Sequence, residues 1–388
     1  MLPIDRYQAW LVLAGACLLS SVLGSVHAFS IFLVPLETQF GVGRSSISLI
    51  YSGALICVTL AVLLGHQVFG RVPAATLVLM TGLLGAFGAL IAGYAPSLLF
   101  VWFGYCVFFG LANGLGYGFG LQISAQVNPG REGFAMGCVT AAYALGAAVS
   151  PVLFERALSI GGFSFAMTGL AVCLIVAGFL SAAAMGLARA RYSEDRRSDD
   201  DLSSGSPSAG PLALLWMTYF GGVMAGLMVI GHAAGIAAEA SGARHLWLAP
   251  ALVALCNLAG SLSGGHLADR YPARYALTTL SGLTLLALFG LAGDPGFAGV
   301  LACLGVVGFA YGGTIAAHPA YIFKRYERLG SARIYGRIFT AWGAAGLAGP
   351  SLAGFLYEAS GAYVSAALFA ACFGLVSIGT ALVFFRQS

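Results

Sequence analysis

Two histidines, His27 and His232, stand inside long apolar runs, each about 17 residues after the first tryptophan of its run, Trp10 and Trp216. An imidazole with an ordinary pKa near 6.5 gains a proton on an acidic side of a barrier and loses it on the other. Protonated, it attracts a carboxylate; neutral, it serves equally well as a hydrogen-bonded brace to a neighbouring helix. Tyr117, Tyr143, Tyr311, Thr314 and Trp342 fall at comparable places in other apolar runs. Such rings hold a small organic molecule by its faces while hydroxyls orient it, although aromatic residues in helices also simply pack. Met224, Met228 and His232 recur at i, i+4 and i+8, a soft ligand set that suits Cu(I). His66 and His266 lie at the ends of runs, and His318 precedes Pro319. No nucleotide-binding loop or catalytic triad is present, so neither an enzyme nor a cofactor is expected, and no metal site is assigned.

The elements that position these residues must cross a membrane. Apolar residues make up 59% of the 388 and charged residues only 8%, with a mean hydropathy of +0.91. A soluble domain carries roughly 25% charge. The chain tiles into twelve apolar segments at about 8–34, 46–69, 75–95, 98–126, 134–158, 164–188, 212–238, 245–267, 274–292, 296–322, 335–357 and 360–385. Each is long enough for a hydrocarbon core of roughly 30 Å, and a backbone in lipid must satisfy itself as helix. With both termini in the cytoplasm, 15 of the 18 Lys and Arg fall on the cytoplasmic side, leaving only Arg44, Arg156 and Arg244 outside. That bias fixes orientation, and one miscounted helix would scramble it. A multi-pass inner-membrane protein is therefore expected. Its net charge of +4 arises from these loops and points to lipid headgroups, not to nucleic acid. The eight cysteines all lie within spans, without a C-x-x-C pair, and read as small apolar residues. No small-residue cleavage site follows the first run, which is expected to stay as helix 1.

The chain divides into halves. Residues 189–211, with an acidic and basic run followed by Ser, Gly and Pro, cannot bury a core and read as a cytoplasmic linker between bundles at 1–188 and 212–388. Two regions repeat at a common offset of 199 residues: Arg71-Val72-Pro73-Ala74 with Arg270-Tyr271-Pro272-Ala273, and Gly137, Tyr143, Pro151 and Gly162 with Gly336, Trp342, Pro350 and Gly361. Parallel repeats of this kind imply two six-helix bundles with a substrate site between them near the midplane. Glycines clustered in helices 4 and 11, with Pro151 and Pro350, suit close packing or bending.

The segment Gly265-His266-Leu267-Ala268-Asp269-Arg270 resembles the loop signature of the major facilitator superfamily. The resemblance implies an all-α fold of twelve transmembrane helices in two pseudo-symmetric bundles, and a cytoplasmic latch containing Asp269 and Arg270. In the first half Phe69 stands where that family has its Asp. Patches at Gly24–Phe32, Gly114–Gly118, Arg131–Gly137, Gly226–His232 and Tyr335–Gly343 are similar to the oxalate/formate antiporter and monocarboxylate transporter families. The cations those exchangers direct at carboxylates fall here at Ser261 and Trp342, so neither is present. The deepest ionisable groups are then the histidines, because no Lys, Arg, Asp or Glu lies near the centre of a span.

The expectation is a secondary transporter of a small, monocarboxylate-like organic anion, coupled to protons or working by exchange. A neutral solute or multidrug efflux is the alternative, and copper import through Met224, Met228 and His232 a lesser one. Substrate contacts are expected from His27, His232, Trp342, Tyr143, Tyr117, Tyr311 and Thr314, and proton coupling from His27 and His232. The partners expected are the substrate, protons and lipid, with the chain acting as a monomer.

Overall fold

The structure, a computed structural model, describes residues 5–42, 44–193, 209–241, 248–293, 295–326 and 331–384, and among them there is helix but no strand. Most of the linker, 194–208, lies outside the described residues, as does Arg244. Ten helices are long and apolar enough to cross a membrane. The 56-residue Glu132–Leu187 leaves helical geometry at Gly161 and Gly162, so it is two legs. Counting both, and adding the 30-residue Ser331–Ser360, gives the twelve spans read from composition.

In chain order these are α1 (Arg6–Leu23), α2 (Arg44–Phe69), α3 (Ala74–Gly93), α4 (Gly110–Gln126), α5 (132–160), α6 (163–187) and α7 (Ala209–Ile230). They continue with α8 (Leu248–Arg270), α9 (Ala273–Ala292), α10 (Gly296–Tyr326), α11 (Ser331–Ser360) and α12 (Tyr363–Phe384). Asp5 opens α1 with a capping box, accepting from the Gln8 amide while the Gln8 side chain accepts from its own. Three spans depart from regular helix. α1 runs on as a 3-10 stretch, Gly24–Phe32, into a short helix at Leu33–Phe40. α7 breaks at Gly231 and His232 before resuming over Ala233–Ser241. α4 is entered through Leu98–Val101 and a π-helical stretch, Trp102–Phe109.

The 199-residue repeat is visible in the backbone. Pro73 and Pro272 precede α3 and α9 with φ/ψ of −55/140 and −56/140. Gly162 and Gly361 turn the chain from α5 to α6 and from α11 to α12 with φ of 70 and 75, a conformation that side chains with a Cβ resist.

Contacts group the chain into two compact units, Met1–Pro129 with Ala142–Glu194, and Gly130–Ala141 with Asp195–Ser388. Small residues set the helix spacing in each. In the first, a Cβ on Gly24 would collide with the Tyr143 carbonyl, and one on Gly146 with the Ser21 carbonyl, so α1 and α5 touch backbone to backbone. In the second, α8 and α10 meet the same way, with Gly260 on the Phe309 carbonyl and Gly264 on Gly313.

Candidate functional site

In the first unit the irregular stretch after α1 carries His27, and helix 4 supplies what that stretch lacks. A backbone that leaves α-geometry inside a bundle frees carbonyls that must find donors. The Asn113 side-chain amide of α4 donates to the Leu23 carbonyl at 2.5 Å, and the Tyr105 hydroxyl, from the π-helical stretch, donates to the Val26 carbonyl at 3.2 Å. Asn113 is fully buried, and its own carbonyl accepts the Tyr143 hydroxyl at 2.9 Å. Around this clasp, His27 Nδ1 shares a 2.7 Å hydrogen bond with the Tyr51 hydroxyl. Its ring meets Tyr143 edge-on at 5.5 Å, and Tyr143 lies 4.8 Å from Tyr117. Three sequence candidates, His27, Tyr143 and Tyr117, therefore form one cluster. Asn113 and Tyr51 belong to it as well; the first was detectable as an amide in a glycine-rich apolar helix, and Tyr51 gave no signal.

In the second unit the Trp342 indole of α11 donates to the Tyr311 hydroxyl of α10 at 2.9 Å, and stacks on Phe339 at 5.0 Å and 15°. An aromatic residue of α11 donating to α10 repeats Tyr143 of α5 donating to α4. Along α10, Tyr311, Thr314 and His318 follow at i, i+3 and i+7, hence on one face. α7 answers with the same spacing in the opposite direction. A Cβ on Gly226 would come 2.8 Å from the Tyr311 ring, one on Gly222 3.4 Å from the Thr314 methyl, and the Tyr219 ring lies 4.5 Å from His318. Large side chains on one helix thus face glycines on the other until the last pair, where two rings meet. Tyr311, Thr314, His318 and Trp342 are all buried.

His232 lies elsewhere. Its Nε2 donates to the Pro350 carbonyl at 2.8 Å, so Nδ1 is the acceptor for the Tyr363 hydroxyl at 3.2 Å. The ring braces the break after α7 against α11 and the start of α12, and its neighbours do not include Trp342 or Tyr311. Both nitrogens being engaged, it offers a metal no lone pair alongside Met224 and Met228, which are buried. Among the described residues no group of three or more His, Cys, Asp or Glu is arranged to hold a metal ion.

Asp269 ends α8 in a separate polar cluster. Its two carboxylate oxygens accept the backbone amides of Gly133 and Phe134 at 2.9 and 2.8 Å, and Lys324 of α10 pairs with it at 2.7 Å. A carboxylate at the first turn of a helix satisfies orphan N–H groups and complements the dipole. A backbone contact of Gly133 with Gly265 brings the amides within reach. Arg270, paired with Asp269 in the sequence motif, is exposed, and Lys324 is the ion partner. Phe69, at the corresponding first-half position, is buried and packs edge-on against Phe119 at 5.3 Å and Tyr192 at 5.9 Å.

The sequence profile described as Major Facilitator Superfamily matches residues 11–332. The chain is 26% identical to the uncharacterized MFS-type transporter YhjX of Escherichia coli strain K12, covering 87% of this chain and 86% of that one. It is 25% identical to monocarboxylate transporter 13 of Rattus norvegicus, over 97% and 89% of the two chains. Among solved structures it is similar to the proton:xylose symporter XylE bound to 6-bromo-6-deoxy-D-glucose, with a TM-score of 0.74, 13% identity and coverage of 95% and 94%. It is also similar to FucP in the outward conformation, with a TM-score of 0.69, 17% identity and coverage of 97% and 99%.

Proposed function

Since this chain belongs to the Major Facilitator Superfamily, a group of multi-pass membrane transporters that work by alternating access and are not enzymes, we propose that it carries a small monocarboxylate-like anion, driven by protons or by exchange. The observation that carries this reading is the composition of the two clusters. Among the described residues the contacts given for them join aromatic rings, hydroxyls, an amide and imidazoles, with no guanidinium, ammonium or carboxylate. An unpaired charge at membrane depth costs at least about 2.5–3.5 kcal/mol, so a site without fixed cations suits a solute with one negative charge better than one with two. The name of the rat relative points to the same solute class.

His27 is the coupling group of the first unit in this reading, with Tyr51 and Tyr143 as its relay and wall. Tyr117 extends the aromatic surface of that cluster, and Tyr311, Thr314 and Trp342 are the substrate contacts of the second unit. His232 acts as a brace. Asp269 and Lys324 hold the start of α5 to the end of α8, a latch that favours one of the two access states. The halves 1–188 and 212–388, the linker 189–211, cytoplasmic termini, an inner-membrane location and a monomeric state complete the proposal.

The test is uptake into proteoliposomes of radiolabelled lactate, oxalate and an uncharged sugar, with and without an imposed pH gradient. Lactate uptake stimulated by acid outside is the expected result. Equal or greater uptake of the sugar would transfer the reading to neutral solutes, and tight oxalate binding at neutral pH would show that the clusters accommodate two charges.

A further inference from the structure

The segment that composition assigns to the linker does not leave the first unit where α6 ends. At that end the Arg189 amide donates to the Gly186 carbonyl at 3.0 Å and the Ala190 amide to the Met185 carbonyl at 2.9 Å, the paired bonds of a Schellman stop. The turning residue of such a stop is usually glycine, because its φ is positive. Here it is Arg189, at 48°, the one non-glycine residue with positive φ among those described. A side chain with a Cβ keeps that conformation only where surrounding contacts hold it there.

Those contacts lie in residues 190–193. Ala190 is buried, and the Tyr192 ring sits edge-on to Phe69 of α2 and to Phe119 of α4, each centroid 5.9 Å away. Phe69 lies back over its own helix: a Cβ on Gly65 would come 2.7 Å from its ring, and one on Gly118 of α4 3.6 Å. Beyond the rings, the Gln126 side chain at the end of α4 pairs with Ser193 as a neighbouring strand would. Its Nε2 donates to the Ser193 carbonyl at 2.5 Å, and its Oε1 accepts the Ser193 amide at 3.2 Å. A clamp on backbone groups is indifferent to the side chain it holds, so selectivity falls to the Tyr192 ring.

The second unit shows what this arrangement replaces. There the ends of α8 and α10 are joined by Asp269 and Lys324. The ends of α2 and α4 carry Phe69 and Gln126 instead, and Gln126 is one residue from the position 199 before Lys324. Neither can form an ion pair; Tyr192 and Ser193, brought by α6, join them. Arg191 and Ser193 are exposed and Tyr192 is half-buried, so one ring and two hydrogen bonds at the rim hold the segment. Contacts so few and so exposed open without melting a helix.

We propose that residues 190–193 are a releasable strap: with Tyr192 between Phe69 and Phe119 and Ser193 in the Gln126 clamp, it latches the ends of α2, α4 and α6 in one stage of the transport cycle and comes off in another. The partner of this surface is the chain's own linker. Release of 189–193 adds about 17 Å of extended chain to the connection between α6 and α7. The inference rests on alternating access, not on which solute is carried.

Two measurements test it. The Ser193 amide exchanges with deuterated water when it leaves Gln126 Oε1, so hydrogen exchange read by mass spectrometry on the purified full-length protein follows the strap without any solute. Tyr192→Ala leaves Gln126 untouched, yet it should speed exchange of the peptide holding Ser193 about five-fold, as should Gln126→Ala, while Tyr192→Phe stays near wild type. Unchanged exchange in Tyr192→Ala would show that ring and clamp act separately, and the strap would be refuted. The second measurement asks whether the strap has to open. Gln126→Cys combined with Ser193→Cys, a pair whose disulfide closes the clamp, is placed in proteoliposomes, and uptake of radiolabelled lactate is compared oxidised and reduced, beside each single variant. Uptake lowered about ten-fold by oxidation and restored by reduction is expected of a step in the cycle. Equal uptake in the two states makes the contact a fixed brace and overturns the proposal. Wild-type vesicles that take up no lactate would fail the anion reading instead, and the oxidised and reduced comparison would then be made with the uncharged sugar.

Discussion

Asn113 and Leu23, ninety residues apart, are joined by a 2.5 Å hydrogen bond from a buried side-chain amide to a carbonyl at the point where the first helix leaves regular geometry. The same amide group accepts Tyr143, so one side chain on α4 holds the backbone of one helix and the ring of another. Replacing Asn113 with Leu keeps the branched skeleton of the side chain and strands both partners. A loss of about 1–3 kcal/mol is expected, read as a lower unfolding temperature in detergent. Unchanged stability would show that the irregular stretch does not depend on this amide.

The two histidines singled out in the sequence should behave differently. His27→Gln should lose most of the response of uptake to an acid-outside gradient, because the imidazole proposed to carry the proton is gone. His232→Gln should keep the response and lower the unfolding temperature, since its ring is occupied by Pro350 and Tyr363. The reverse pattern, with coupling lost only in the His232 variant, would reassign the two roles.

Trp342 offers a graded test of the substrate wall. Trp342→Phe preserves stacking on Phe339 but gives up the bond to Tyr311, and should weaken binding of the transported anion by about 0.5–1.5 kcal/mol. Trp342→Ala removes the face too and should cost more than the roughly 1 kcal/mol of a peripheral aromatic contact. Calorimetric titration of both variants would measure this, and wild-type affinity in the Ala variant would place the solute elsewhere.

At the Asp269 cluster, Asp269→Ala leaves two amides and an ammonium without their acceptor. Loss of the helix-capping contribution, about 0.5–2 kcal/mol, is expected in thermal unfolding. Labelling of reporter cysteines introduced in the loops beside Asp269 should also change, because the start of α5 is no longer held to α8. An unaltered labelling pattern would reduce Asp269 to a local cap.

The span count and the repeat were legible because both depend on local composition. Apolar length sets a crossing helix, and the Pro73/Pro272 and Gly162/Gly361 matches reappear as nearly equal backbone angles at equal offsets. Tyr143 and Trp342 were legible for the same reason. Partnerships across helices were not: Asn113 with Leu23 and Tyr219 with His318 join residues about a hundred apart, and no spacing rule links them. Nor did residue type separate the histidines, which differ in their partners: the Tyr51 hydroxyl for His27, the Pro350 carbonyl and Tyr363 hydroxyl for His232. Asp269 stands in a motif, yet no spacing rule links it to its ion partner, Lys324, near the end of α10.

The 3-10 stretch after α1 stores length. Its nine residues rise about 2.0 Å each where an α-helix rises 1.5 Å, so winding them into α-helix would retract the far end of the span by about 4.5 Å. That is close to one helical turn, the step by which packed helices ratchet past one another. The retraction would withdraw the Val26 carbonyl from Tyr105 and swing His27 around the axis, away from Tyr51. A change of helix type within a fixed sequence thus becomes a change of reach, and the side chain that turns with it is the one proposed to hold the proton.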